Sequence, residues 1–159
     1  MESGQHMGLK PGHTSTIRRI EGAMLSYHAD MDINTNPFEL GLDRFIDIDR
    51  DFDFVGKEAL IEIKRKGVNR QQVGLEIKSD PMPGPNTRFW EIKIKDSTLG
   101  KVTSAVYSPR LKKNIALAML EKRYSKIGTE VQVISESDIL PAEVVEKPFF
   151  DPAKTVTKS

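Results

Sequence analysis

The chain has 159 residues, 38% of them hydrophobic and 30% charged, with a formal net charge of +1; it reads as soluble globular protein long enough to bury a substantial core. That charge balance makes no demand for nucleic acid or an anionic membrane. The absence of cysteine excludes disulfides and thiolate metal sites and fits a reducing cytosol, while no apolar run approaches the ~20 residues of a membrane span.

MESGQHM is polar, lacks an apolar h-region, and its His-Met pair reads as a cloning junction ahead of Gly8. Residues 1–7 are therefore set aside as an expression scar, and the chain from Gly8 onward reads as a piece of something longer. Lys10-Pro11-Gly12 signals a turn, and Thr14, Ser15 or Thr16 can cap a helix after it. Ile17, Ile20, Met24 and Leu25 recur at spacings of three and four, one helical face, with Arg18, Arg19 and Glu21 off that stripe. Gly22 weakens the helix, and Tyr27-His28 leads into the polar run ADMDINTNP, which Asn36-Pro37 closes. Helix, polar loop and the apolar return at Phe38-Glu39-Leu40 form a candidate wall for a ligand site. RFIDID, Arg44 to Asp49, alternates and predicts a short half-buried strand, with a turn over Asp51 to Phe54. From Gly56 the period becomes helical through Leu60, Ile61 and Lys64, and Gly67 sits where a C-cap belongs, giving a helix over about Lys57 to Lys66.

Strands dominate from Gln71 onward. QQVGLEIKS, RFWEIKIK, KVTSAVYSP, NIALAML, TEVQVIS and LPAEVVEKPF are separated by PMPGPN, DSTLG, Pro109, KRYSKIG and SESD. Short strands at this spacing predict a small barrel or sandwich. The expected fold is α+β: a partial α/β N-terminal segment over 8–70, an antiparallel six-stranded β-barrel over 71–150, and a tail over 151–159.

Several patterns bear on chemistry. Asp47, Asp49, Asp51 and Glu58 fall at the first, third, fifth and twelfth places of a calcium loop, but the sixth place, where a glycine must turn, is Phe52. A strand with a wet acidic face explains the run better. His28, Asp30 and Asp32 have ligand-like spacing but no second histidine nearby, and the run from Asp30 to Asn36 is expected to bond its own backbone. No metal site is expected. Nucleophile elbows and phosphate loops are absent. Lys112-Lys113 with Arg110 forms a basic turn that reads either as a solvated hairpin or as a clamp on a ligand carboxylate, with Tyr107 near to stack on a flat ring. Phe89 and Trp90 read as rim and core aromatics. Arg18 and Arg19, adjacent and beside a polar loop, either sit solvated, one pairing with Glu21, or grip an anionic ligand.

RIEGAMLSYHADMD, TNPFELGLD, FVGKEAL, VTSAVYSPRLKKNIALAML and VVEKPFFDP together resemble the glycine cleavage T-protein family of aminomethyltransferases. The matching family stretches read approximately R-L-E-A-G, T-P-x-E-x-G-L, F-x-G-K-E-A-L, T-S-G-x-x-S-P-x-L-x-x-x-I-A and K-P-F, in the same order from Gly8 to Pro152. The forms SYHAD, YSPRLKKNI and FFDPAK lean towards the branch containing dimethylsulfoniopropionate demethylase.

The resemblance implies a cytoplasmic, tetrahydrofolate-dependent one-carbon transferase, with residues 8–70 as the end of a folate-binding domain. It implies Arg19 and Tyr27 as folate contacts, Arg18 as a substitute for Arg19, and Tyr107 and Arg110 beside a channel-facing loop. The partners it implies are folate and a small one-carbon donor, with neither nucleic acid nor membrane. The family's N-terminal half, with its essential aspartate, has no counterpart here. The chain is therefore expected to carry no catalytic residue, to be inactive alone, and to self-associate through apolar surface that the missing half would cover. The alternative is a non-catalytic folate-binding regulatory or interaction domain.

Overall fold

A computed structural model describes residues 7–8, 15–136, 138–153 and 155. The readings of residues 1–6 as a scar, of Lys10 to Gly12 as a turn, of Thr14 as a cap and of the end of the tail fall outside those residues. Six strands succeed one another: β1 (Arg70–Ile77), β2 (Trp90–Ile94), β3 (Ser97–Ser108), β4 (Lys113–Glu121), β5 (Glu130–Ile134) and β6 (Ile139–Val145). They close in the order β1-β4-β3-β2-β5-β6, every neighbour antiparallel. The barrel expected from the sequence is the one found.

Alternation decides what fills it. Val73, Leu75 and Ile77 of β1, Ile92 of β2, Val102 and Ala105 of β3, and Ala116, Ala118 and Leu120 of β4 belong to one buried cluster, joined by Val131, Val133 and Val144. Residues of the opposite parity would ordinarily face water. On β3 and β4 they do not, because Val106, Ile115 and Leu117 form a second cluster with Ile20. Ile20 comes from α1 (Thr16–Glu21), a short helix capped by the Ser15 side chain and stopped at Gly22. Burying Ile20 completely contributes about 2 kcal/mol and fixes α1 on the outer wall of the barrel.

Two irregularities shape that wall. The β3–β4 register slips between Val102 and Ser104, so Thr103 is the extra residue of a bulge. Further back, a Cβ on Gly100 would lie 2.1 Å from the Met119 carbonyl oxygen, which leaves room only for glycine where β3 meets β4.

Two sequence expectations are corrected. RFIDID is not a strand: a 3-10 turn covers Asp43–Phe45, and Ile46 to Asp49 are irregular. Its alternation is real, since Ile48 is buried and Phe45 exposed, but a strand also needs a backbone partner and the closed barrel presents no free edge. DSTLG is not a turn: Lys95 takes a left-handed conformation, Ile94 pairs with Ser97, and the chain reverses over Lys95 and Asp96 alone. The second helix, α2 (Lys57–Lys66) between Gly56 and Gly67, lies where its period predicts.

Candidate functional site

The N-terminal segment meets the barrel through a buried carboxylate. Asp30 lies within the polar run, yet its side chain is fully buried and its Oδ2 is 2.6 Å from Arg19 Nη1. Oδ2 also accepts the Ser26 amide at 2.9 Å. Oδ1 accepts the hydroxyls of Thr103 at 2.6 Å and Ser104 at 2.7 Å. The β3 bulge makes this possible, since successive residues of a regular strand point to opposite faces. Arg19 completes the ring: Nη2 donates to Ser104 Oγ at 2.8 Å and Nη1 to the Met24 carbonyl at 3.1 Å. Every charge in this cluster has a partner, which is what allows it under a protein surface.

Glu21 anchors the other end of α1. Its Oε1 accepts the Ser108 hydroxyl at 2.5 Å, and its backbone carbonyl accepts the amides of Phe149 and Phe150. Arg110 stands 4.0 Å from Glu21 Oε2 and lies over the Phe150 ring at 4.1 Å. The helix is thus tied to β3 at Ser104 and Ser108, and to the segment after β6.

Of the five residues proposed to contact folate, Arg19 is engaged with Asp30 and Ser104, not with Glu21. Arg18 is exposed on the solvent side of α1. Tyr27 is 53% exposed, on the loop that Asp30 anchors, with its ring 4.4 Å from that of His28 in an edge arrangement. Tyr107 is half-buried near the end of β3, and Arg110 lies just beyond it in the β3–β4 turn with an exposed guanidinium. Arg18, Arg19, Tyr27 and Arg110 therefore border α1 or its contacts, while Tyr107 sits one residue from Ser108.

The other sequence candidates separate. His28 leans on Tyr27, Asp30 is buried, and Asp32 accepts the Asn34 amide and the Thr35 hydroxyl, bonds that hold its carboxyl below the usual value. Backbone capping by the polar run thus holds for Asp32 and for Asn36, whose side chain accepts the Glu39 amide. Asp30 also accepts a nearby backbone amide, that of Ser26, but unlike the others its side chain turns inward to Arg19, Thr103 and Ser104. Asp47 pairs with Arg50 at 2.6 Å and Asp49 with Lys64 at 3.6 Å. Among the described residues, no cluster of three carboxylates or histidines is arranged to hold a metal. Lys113 pairs with Glu76 at 2.7 Å. Trp90 is buried in the barrel, while Phe89 is exposed under the Lys101 ammonium at 4.2 Å.

Sequence reasoning missed three groups. Glu39 is buried and receives Arg70 through both oxygens, at 2.7 and 3.2 Å. Gln72 is buried in β1, with Nε2 unpartnered. Lys147, after β6, donates to Gln72 Oε1, and burial pushes its amine down to about 8 against the opposing pull of Asp30. Glu39 carries a local signal, the N-x-x-E spacing by which it and Asn36 exchange backbone bonds. But Arg70 is 31 residues from it and Gln72 is 75 residues from Lys147, distances that no local pattern spans.

A closed six-stranded antiparallel barrel, with a short arginine-bearing helix clamped to its outer wall, defines the class of protein. Residues 70–151 match the family described as Glycine cleavage T-protein C-terminal barrel domain, and the chain belongs to that family. It is 35% identical over 153 residues to an aminomethyltransferase of Alkaliphilus oremlandii, covering 94% of this chain and 40% of that protein. It is 39% identical over 134 residues to an aminomethyltransferase of Synechococcus elongatus, covering 83% and 35% respectively. The glycine cleavage system aminomethyltransferase T of Bartonella henselae shares the fold, with a TM-score of 0.77 at 21% identity over 86% of this chain and 38% of that one. The chain spans roughly two-fifths of the length of the curated relatives it matches.

Proposed function

We propose that this chain is the C-terminal portion of a tetrahydrofolate-dependent aminomethyltransferase or methyltransferase, acting in the cytoplasm. One observation carries the reading: a family barrel bears, on one side, a helix whose arginines flank an ordered loop with an exposed tyrosine. Tetrahydrofolate presents a flat ring system and carboxylates. The residues present fit it, because Arg18 and Arg110 expose guanidiniums for carboxylate and Tyr27 exposes a ring for stacking. Arg19 serves the same site while its network with Asp30 and Ser104 holds the loop, and Tyr107 lies at its margin. When bound, tetrahydrofolate is the acceptor of the one-carbon unit. Donor activation belongs to the missing half, so the chain alone is inactive.

Calorimetric titration of tetrahydrofolate into the chain tests this, with Tyr27→Ala and Arg18→Ala as variants on exposed side chains. Arg19→Ala is the weaker choice, since it also breaks a buried ion pair. Saturable binding weakened about tenfold by Tyr27→Ala supports the reading. The companion assay uses the longer parent with tetrahydrofolate and either an aminomethyl donor or dimethylsulfoniopropionate; the productive donor selects the branch. Absence of binding and transfer in both chain and parent overturns the proposal.

Self-association belongs to the same reading. Ile33, Phe45, Phe52 and Val55 are more than half exposed, and α2 buries none of its residues. Sedimentation of the isolated chain should show concentration-dependent dimers, and a strict monomer at high concentration would count against an uncovered interface.

A further inference from the structure

A cleft of about 550 Å3 opens between the segment after α1 and the segment after β6, lined by Met24, Leu42, Asp43, Arg44, Lys147 and Pro148 among others. Lys147 is its distinctive group. Lysine ammonium ions ordinarily reach water at the end of a flexible stem. This one is folded back against the buried Gln72 side chain, whose Oε1 accepts from it and whose Nε2 has no partner. Among the described residues the Lys147 amine meets one hydrogen-bond acceptor although it can donate three bonds. The Asp30 carboxylate acts on it as an opposing charge, and Lys147 itself lines the open cleft. Arg44 lines the same cleft, its guanidinium resting over the Phe45 ring at 4.7 Å.

We propose that Lys147 is a reactive amine that condenses with the carbonyl of small 2-oxo acids entering this cleft, with Arg44 receiving their carboxylate. The neutral amine forms the C–N bond by adding to the carbonyl carbon. The carbonyl electron pair moves to oxygen, which takes up the proton that nitrogen releases. The resulting carbinolamine loses its hydroxyl together with the remaining nitrogen proton as water, while the nitrogen electron pair forms the C=N bond of an imine. Water reverses the sequence, so no oxidant or reductant is needed. Desolvation brings the amine down to about 8, so a far larger fraction is neutral near physiological pH than of a solvated lysine. Folate binding plays no part in this chemistry.

The test uses the chain as it stands. Limiting glyoxylate with cyanoborohydride, at about pH 7.5, reduces any imine to a carboxymethyl-lysine that peptide mapping locates. Lys147 should be modified about tenfold ahead of the exposed Lys95, Lys112 and Lys126. Acetaldehyde, which lacks the carboxylate, should show a much smaller lead, and Arg44→Gln should bring glyoxylate down to the acetaldehyde level. Modification of Lys147 no faster than the exposed lysines overturns the proposal. An equal lead with both reagents overturns the role of Arg44 and with it the 2-oxo acid assignment.

Discussion

Arg19 and Asp30, eleven residues apart in the chain, form a 2.6 Å ion pair in which the carboxylate is wholly buried and the guanidinium side chain is 24% exposed. The asymmetry decides what each substitution does. Without Arg19, Asp30 stays buried as a charge with hydroxyl and amide donors only. Without Asp30, Arg19 can turn to water. Arg19→Ala should therefore cost about 3 kcal/mol and Asp30→Ala somewhat less, with a favourable coupling above about 1 kcal/mol in the double mutant. Urea unfolding of the four proteins measures this; additive losses would show that the pair is not a unit.

Lys147 makes stability depend on pH in an unusual direction. Its ordinary value of 10.5 falls to about 8 in the folded protein. Between those values the unfolded chain binds more protons at this position than the native one, so stability rises with pH. Below about 8 both states are protonated and the cost of burying the ammonium is constant. The gain from about pH 8 to 10.5 should reach at most about 3 kcal/mol. Lys147→Met should be more stable than the parent at about pH 7 and should lack that rise, as thermal unfolding across the range will show.

Gly100 and Gly74 separate backbone from side-chain crowding. A Cβ at Gly100 meets the Met119 carbonyl at 2.1 Å, while one at Gly74 meets the Phe149 ring at 3.0 Å and the Val145 carbonyl at 3.2 Å. Gly100→Ala must move β3 away from β4 and should cost about 3 kcal/mol or more. Gly74→Ala, where a ring can yield, should cost about 1–2 kcal/mol. Comparable losses in denaturant unfolding would contradict this account.

Glu39 and Arg70 lock the polar loop to β1. Arg70 grips both Glu39 oxygens and the Asn34 carbonyl, and Glu39 also accepts the Asn36 amide. Arg70→Ala leaves a buried carboxylate with one donor, and a loss of about 2 kcal/mol should result. The local signature is faster hydrogen exchange over residues 34–41 with β2 and β5 unchanged.

Local pattern carried much of the fold. Between Gly56 and Gly67 the helical spacing needs no outside help to be read. RFWEIKIK and TEVQVIS alternate because one face of each meets the core at Trp90, Ile92, Val131 and Val133. The motifs shared with aminomethyltransferases likewise survive as sequence, since they are strings of neighbouring residues. Three features waited for tertiary structure. RFIDID has the period of a strand but no partner, because pairing is a property of two segments and the barrel closes without it. NIALAML is buried on both faces because α1 covers the outside, and this two-sided burial is invisible in β4 alone. Asp30 reads as one more solvated aspartate until the bulge at Thr103 brings two hydroxyls and α1 brings Arg19 to it. Sequence marked the two helices and the six barrel strands, since neighbours along the chain set periodicity. Only the closed barrel decided which charges are buried, since burial depends on residues as far as 87 positions away, as Ser108 is from Glu21.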